Sequence, residues 1–236
     1  MAKSPGTPEG SAELVLFDLD NTLFDRAATF RTWIGEFVRG RGLPPAEVEW
    51  FVAADEDGYA PRRRMWAQAK ERYGFDESAE DLRATYRASY LDFCQPDAEV
   101  HEGLVDLRQG GWRIGIVTNG SMPQQSHKAA RLGLLPLVDG FCASAELGIE
   151  KPDPRIFREA IRRCAPPSPA AELRPVFMVG DAPIPDVQGG RSVGLRTVWL
   201  HRGRAWDPVH GEAPDHTTGS LRQAIDLVLE SGDQKG

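Results

Sequence analysis

The chain has 236 residues, of which 41% are hydrophobic and 27% are charged, and its net charge is −7. These values are those of a folded globular protein, and the length suits one main domain with an inserted smaller unit. Acidic and basic residues are interspersed, which argues against a broad nucleic-acid surface, and no apolar run reaches the roughly 18 residues of a membrane span.

The chain ends and the cysteines indicate a cytoplasmic protein. The first residues are rich in Pro, Gly and Ser and lack the apolar stretch of a signal peptide. We expect residues 1–12 and 231–236 to be disordered tails. Cys94, Cys142 and Cys164 lack the Cys-x-x-Cys spacing of zinc or redox sites, so we expect reduced thiols. The sequence does not indicate the oligomeric state.

Four short apolar segments predict buried parallel strands. They cover residues 14–17, 113–117, 176–179 and 195–200. Helical patterns lie between them at residues 100–109, 123–132 and 153–164, and Pro166-Pro167-Ser168-Pro169 reads as a rigid surface connection. Strands that alternate with helices predict an α/β fold with a doubly wound, Rossmann-like parallel sheet.

Residues 26–95 break this alternation and predict a helical cap. Amphipathic patterns cover residues 27–38, 46–54, 62–72 and 79–93, without a convincing strand. The core domain would then comprise residues 13–25 and 96–230, with the cap over the active edge of its sheet. Most of the cap aromatics have helical spacing, so we interpret them as cap core. We interpret Arg62-Arg63-Arg64 as a solvent-exposed charged face rather than as substrate-binding residues.

Polar side chains follow three of the predicted strands, and a lysine precedes a helix. Ligands of such sheets bind beyond the carboxyl ends of the strands, near the point where strand order reverses. The side chains expected to converge there are those of Asp18, Asp20, Thr118, Asn119, Lys151, Asp181 and Asp186.

Paired carboxylates at this edge favour phosphoryl chemistry. Two carboxylates spaced by one residue just past a strand, as Asp18 and Asp20 are, can both face one cleft, where one acid can attack and the other can handle a proton. An aspartate attacks phosphorus when a metal ion and hydrogen-bond donors neutralise the phosphoryl oxygens. Crowded carboxylates also raise one another's pKa unless a cation lies among them, and hard oxygen ligands suit Mg²⁺.

On these residues the chain resembles the haloacid dehalogenase-like hydrolase superfamily from about residue 13 to residue 230. The four motifs of the superfamily stand in order as Asp18-Leu19-Asp20-Asn21-Thr22-Leu23, Val117-Thr118-Asn119-Gly120, Lys151-Pro152-Asp153-Pro154 and Val179-Gly180-Asp181, with Asp186 downstream. The position of the cap, between the first two motifs, is similar to that of the subfamily with a helical type-one cap, and the motifs resemble its phosphatase branch.

The resemblance implies a role for each matching residue. Asp18 would be the nucleophile that carries an aspartyl-phosphate, and Asp20 the general acid and then base. Thr118, the N–H of Asn119 and Lys151 would bind the phosphoryl group. Mg²⁺ would be held by Asp18, the main-chain carbonyl of Asp20, and Asp181. Asp186 would support this metal site or orient Lys151.

One loop departs from the family pattern. Ala182 and Pro183 stand where many relatives have a hydroxyl-bearing residue followed by a residue other than proline, and Pro185 removes a second backbone donor. This departure puts the contribution of Asp186 in doubt more than that of Asp181. Each motif alone is an ordinary turn, cap or solvated lysine, and their combination is what carries the inference.

We therefore expect a magnesium-dependent phosphatase for a small phosphorylated metabolite. Nucleoside monophosphates and sugar phosphates are the first candidate substrates. A phosphosugar mutase keeps both acids and stays open. A 2-haloacid dehalogenase needs no acid for an alkoxide, so Asp20 argues against it. A catalytically silent binding module is the alternative outside enzymes, and the intact motif set speaks against it.

Overall fold

The computed structural model describes residues 11–165 and 172–233 of the chain. The predicted connection at residues 166–169 lies outside this described part, as do residues 1–10 and 234–236 of the predicted tails. Residues 11–12 and 231–233 are not tails, because they belong to a strand and to a helix. Among the described residues, none of the helices combines the length and the apolar character needed to cross a membrane.

The chain divides into two compact units. One comprises the described residues up to Phe24 together with the described residues from Pro96 onward, and the other comprises Asp25–Gln95. We call them the sheet unit and the helical unit. In chain order the helical unit is inserted between the first and second strands.

In the described part of the chain, six parallel strands form the sheet, in the order β3-β2-β1-β4-β5-β6. They are β1 (Ser11–Phe17), β2 (Arg113–Thr118), β3 (Gly140–Ala143), β4 (Glu172–Gly180), β5 (Arg196–Leu200) and β6 (His216–Thr218). The predicted α/β class with a doubly wound parallel sheet is confirmed. The strands β3 and β6 were not predicted from the sequence, because both are short edge strands and β6 is polar, so neither has the apolar run of a central strand.

The helical unit contains α1 (Arg26–Gly40), α2 (Glu47–Asp55), α3 (Arg62–Tyr73) and α4 (Ala79–Ser89). Ser78 and Asp81 form a capping box at the start of α4, which satisfies backbone N–H groups that the first turn leaves unpaired. The fourth predicted helix is too long, because residues 90–93 form a separate 3₁₀ turn.

Aromatic side chains form the core of the helical unit, as their spacing predicts. Trp33, Phe37, Phe51 and Trp66 are buried, and the ring centroids of Trp33 and Trp66 lie 6.0 Å apart in an edge-to-face arrangement. Trp50 is half-buried, and Tyr59 has 55% of its surface exposed.

The arginine run of α3 divides between two environments. Arg63 and Arg64 are exposed, as predicted. Arg62 is half-buried, makes an ion pair with the buried Asp55 and lies 5.0 Å from the ring centroid of Tyr86. Arg62 therefore takes part in the internal packing of the helical unit.

The helices of the sheet unit follow β1 and alternate with the other strands. They are α5 (Ala98–Gln109), α6 (Met122–Arg131), α7 (Ser144–Leu147), α8 (Pro154–Arg163), α9 (Gly189–Arg191) and α10 (Leu221–Asp233). Asp153 caps α8 as its sequence predicts, because its side chain accepts the N–H of Arg155 and Pro154 occupies the first helical position.

The core against α8 fixes the central strands. Leu14, Leu16 and Met178 pack with Ile156 and Phe157 and are essentially inaccessible to solvent. Burial of each such side chain contributes about 1.5–3 kcal/mol to the stability of the fold. This packing stabilises β1 and β4, whose carboxyl ends lead into the site. All three cysteines are buried and free, which agrees with the prediction of reduced thiols. The cytoplasmic location stays a prediction.

Candidate active site

The site residues gather where β1 lies between β2 and β4. The chain leaves β1 towards β2 on one side and later returns to β4 on the other, so the strand order reverses here. Asp18 follows β1, Thr118 ends β2 and Asp181 follows β4. The N–H of Asp18 donates to the carbonyl of Val179 at 3.0 Å, which ties the end of β1 to β4.

A tight loop places Asp18 and Asp20 at this edge. The N–H groups of Leu23 and Phe24 both donate to the carbonyl of Leu19 at 3.1 Å. Asn21 has a φ of 63°, a left-handed conformation that asparagine adopts more readily than most residues. The loop leaves Asp18 buried and Asp20 partly accessible, with 25% of the Asp20 side chain exposed.

Lys151 joins two of the carboxylates. Its ammonium donates to Oδ1 of Asp18 and to Oδ1 of Asp186, each at 2.6 Å, and all three side chains are buried. Burial lowers the pKa of Lys151, but the charges of Asp18 and Asp186 and their hydrogen bonds outweigh it, and the net shift is upward. Lys151 therefore stays charged beside both acids.

The side chain of Asn119 positions Lys151. Its Oδ1 accepts the N–H of Lys151 at 2.8 Å, and its Nδ2 donates to the carbonyl of Lys151 at 3.2 Å. The side chain of Asn119 thus serves the main chain of the lysine, a role that the sequence analysis did not foresee. The predicted role of the Asn119 N–H towards a phosphoryl oxygen is separate and stays a prediction.

The loop with the unusual prolines still presents Asp186 to the site. Residues Pro183–Gln188 form a π-helical turn that opens on Pro183, where a missing N–H costs nothing. The N–H of Ala182 donates to Oδ2 of Asp186 at 2.9 Å, and the N–H of Asp186 donates to the carbonyl of Ala182 at 3.0 Å. A Cβ on Gly180 would overlap the carboxylate of Asp186, so the turn needs glycine there.

Three buried carboxylates form a cluster suited to a divalent cation. One oxygen each from Asp18, Asp181 and Asp186 lies within 4.8 Å of the others. Burial, opposed by the charge of Lys151 and assisted by the charges of Asp186 and Asp181, raises the pKa of Asp18 to about 8. The hard oxygens of this donor set fit Mg²⁺.

The Asp20 side chain is not part of that cluster and contacts α6 instead. The Lys128 ammonium donates to both oxygens of Asp20, at 2.6 and 2.8 Å. The amide Nε2 of Gln125 lies 3.0 Å from Oδ2 of Asp20 and 2.8 Å from Oγ1 of Thr118. Thr118 and Asp20 are thereby linked through one side chain.

The chain matches the family model described as haloacid dehalogenase-like hydrolase over residues 12–194. It belongs to this family. The predicted family and the predicted hydrolase class are confirmed, whereas the cap subfamily stays a prediction.

Two curated relatives match this haloacid dehalogenase-like hydrolase over nearly their whole length. The phosphoserine phosphatase of Thermus thermophilus is 38% identical, and the match covers 90% of this chain and 98% of the relative. The pyrimidine 5'-nucleotidase YjjG of Escherichia coli is 34% identical, over 92% of this chain and 97% of the relative.

A solved structure shares the fold of this family member. It is that of the putative HAD-hydrolase YfnB from Bacillus subtilis bound to magnesium. The TM-score is 0.69 at 21% identity, and the match covers 92% of this chain and 99% of that chain.

Two arginines that the sequence analysis missed reach Asp181 from the loop after β5. Arg204 Nη2 donates to the carbonyl of Asp181 at 2.6 Å and to its Oδ2 at 3.1 Å, and Arg202 Nη1 lies 3.4 Å from the same Oδ2. The available signal was the basic stretch His201-Arg202-Gly203-Arg204 directly after a strand. Gln125 and Lys128 were also missed, although their spacing of three residues puts them on one helix face behind the second motif.

Proposed function

We propose that this hydrolase is a magnesium-dependent phosphatase that acts through an aspartyl-phosphate on a small phosphorylated metabolite. The observation that carries the proposal is the buried Asp18 carboxylate, 2.6 Å from the Lys151 ammonium and clustered with Asp181 and Asp186. A second carboxylate, Asp20, follows two residues later outside the cluster. Phosphomonoester hydrolysis of this kind needs a nucleophile, a neighbouring cation that neutralises the phosphoryl charge, and a separate acid.

The metal would be held by Asp18, the main-chain carbonyl of Asp20, and Asp181. When bound, Mg²⁺ supplies positive charge that offsets the repulsion between the nucleophilic carboxylate and the phosphoryl oxygens. Asp186 binds Lys151 with one oxygen and the N–H of Ala182 with the other, so we assign it to positioning the lysine.

Hydrolysis would proceed in two transfers. An oxygen of Asp18 attacks phosphorus, the bond from phosphorus to the ester oxygen breaks, and Asp20 gives its proton to the departing alkoxide. Water then attacks the aspartyl-phosphate, Asp20 takes a proton from it, and inorganic phosphate leaves as the Asp18 carboxylate is restored. Thr118, the N–H of Asn119 and Lys151 bind the phosphoryl oxygens in both transfers.

The proposed substrates are nucleoside monophosphates and sugar phosphates. The likeness to the pyrimidine 5'-nucleotidase supports the nucleotides, and the phosphoserine phosphatase supports small phosphomonoesters in general.

The alternatives differ in what they require of this site. A dehalogenase has no alkoxide to protonate, so the acid Asp20 with its bonds to Gln125 and Lys128 favours a phosphatase. A silent binding module needs no ordered nucleophile, whereas Asp18 is tied to β4 and to Lys151. A phosphosugar mutase needs the same acids and is distinguished by its product.

The test is hydrolysis of an aryl phosphate by the purified enzyme with Mg²⁺ and with excess chelator. We expect inorganic phosphate to be released with Mg²⁺ and release to stop with chelator, then to return when Mg²⁺ is restored. A panel of phosphorylated metabolites then ranks substrates by kcat/KM, and isomerised sugar phosphate without free phosphate would identify a mutase. A folded protein without turnover in Mg²⁺ would refute the proposal.

A further inference from the structure

Lys128 is a buried cation whose charge is directed at Asp20. Only 8% of its side chain is exposed, and its ammonium lies 5.7 Å from the ring centroid of Phe24. A buried ammonium is costly unless it is paired and hydrogen-bonded. Its partners are both oxygens of Asp20 and Oε1 of Gln125, the last at 2.9 Å.

Gln125 connects this ion pair to the end of β2. Its Nε2 lies 3.0 Å from Oδ2 of Asp20, 2.8 Å from Oγ1 of Thr118 and 3.1 Å from the carbonyl of Asn119. The amide therefore spans the loop after β1 and the loop after β2, which carry separate parts of the site.

The backbone makes room for this connection. Gly120 has a φ of 138°, and a Cβ at this position would lie 3.1 Å from Cγ of Gln125. Its N–H donates to Oγ of Ser144 at 2.9 Å. A side chain at position 120 would therefore narrow the space that Gln125 fills. The loop after β2 is itself held at this point by the hydrogen bond to Ser144.

We propose that Gln125 and Lys128 are positioning residues that hold the Asp20 carboxylate in the orientation needed for proton transfer at the leaving group. The inference rests on the proposed phosphatase function. Two donors fix both oxygens of Asp20, so its side chain does not need to be ordered when substrate binds. Proton transfer depends on a donor within hydrogen-bond reach of the reacting oxygen. If the Asp20 carboxylate is misplaced, the reaction therefore slows although the nucleophile is unchanged.

The test compares an alkyl phosphate with an aryl phosphate, by kcat/KM, in Lys128→Met and Gln125→Leu. Alkoxides need a proton on departure and aryl oxides need it less, so a misplaced Asp20 affects the alkyl substrate more. We expect the ratio of alkyl to aryl kcat/KM to fall at least about tenfold in both variants, on the scale of a partly lost general acid. Arg131→Met and Gln124→Leu change exposed residues of the same helix and should keep the wild-type ratio.

A double variant tests whether the effect passes through Asp20. Lys128→Met should not lower the alkyl-to-aryl ratio further in an Asp20→Asn background, because residues that act as a unit are not additive. Circular dichroism and thermal unfolding of each variant identify those that fold, and Gln125→Leu provides the test if Lys128→Met does not. Equal losses of kcat/KM for both substrates, or an alkyl-to-aryl ratio within about twofold of wild type, would overturn this inference and leave the proposed function standing. A wild-type enzyme without turnover would overturn the proposed function and this inference with it.

Discussion

Asp186 shares its two oxygens between Lys151 and the backbone of its own loop. Oδ1 accepts the Lys151 ammonium at 2.6 Å, and Oδ2 accepts the N–H of Ala182 at 2.9 Å. The carboxylate therefore fixes the lysine relative to the turn that follows β4, despite the prolines in that turn. Its influence on the reaction should pass through the position and charge of Lys151.

Asp186→Asn should lower kcat/KM by about 10- to 100-fold, the usual effect of removing a charged supporting group at such a site. The neutral amide keeps the shape but removes one of the two charges that hold Lys151. Steady-state kinetics at saturating Mg²⁺ measures the effect, with Asp226→Asn as the control because its half-exposed side chain is in a surface ion pair. Wild-type kinetics in Asp186→Asn would contradict the positioning role.

Gly180→Ala should reduce both activity and stability, because the added Cβ would overlap the carboxylate of Asp186. We expect the free energy of unfolding to fall by about 1–3 kcal/mol, as for other overpacked sites. Chemical denaturation measures the stability and phosphate release measures the activity.

Gly35→Ala is the matched control for that substitution. A Cβ at Gly35 meets no atom within 4 Å, and the residue lies inside α1. Alanine should therefore stabilise the protein by about 0.5–1 kcal/mol, because glycine has the higher entropy in the unfolded chain. If both variants changed stability alike, the steric account of Gly180 would be wrong.

Asp18→Asn should abolish turnover, with a loss of at least about 10³-fold, because the amide cannot form the aspartyl-phosphate. The fold should persist, since the neutral amide replaces a carboxylate whose charge burial disfavours. Phosphate release and circular dichroism on the same preparation make the comparison. Substantial residual activity would refute Asp18 as the nucleophile.

The cysteines should be inert in the native protein. Burial raises the pKa of Cys142 to about 11 and that of Cys164 to about 12, and Cys94 is also buried. The thiolate is the reactive form, so a raised pKa lowers reactivity at every pH below it. At pH values near 8 we expect no rapid labelling by a thiol reagent, and labelling of all 3 cysteines after unfolding. Fast labelling of Cys142 or Cys164 in the folded enzyme would contradict the burial.

Local patterns, taken in combination, predicted the class of fold and several of the side chains that gather at one edge of its sheet. An apolar run that stops at Asp18 indicates a buried strand with the aspartate at its carboxyl end. Parallel strands bring their carboxyl ends to one edge of the sheet. Asp18, Lys151 and Asp186 could therefore be placed together before any contact was known, and the structure brings them within hydrogen-bond distance.

Tertiary packing decided what the remaining polar side chains do. Gln125 and Lys128 are, in sequence, an ordinary polar face of a helix, and only the packing of α6 beside the loop after β1 buries them against Asp20. The side chain of Asn119 and the arginines at Asp181 likewise find their partners across loops that are distant in the chain. The physical reason is that strand and helix signals are periodic and local, whereas the partner of a charged side chain depends on which distant segment folds next to it.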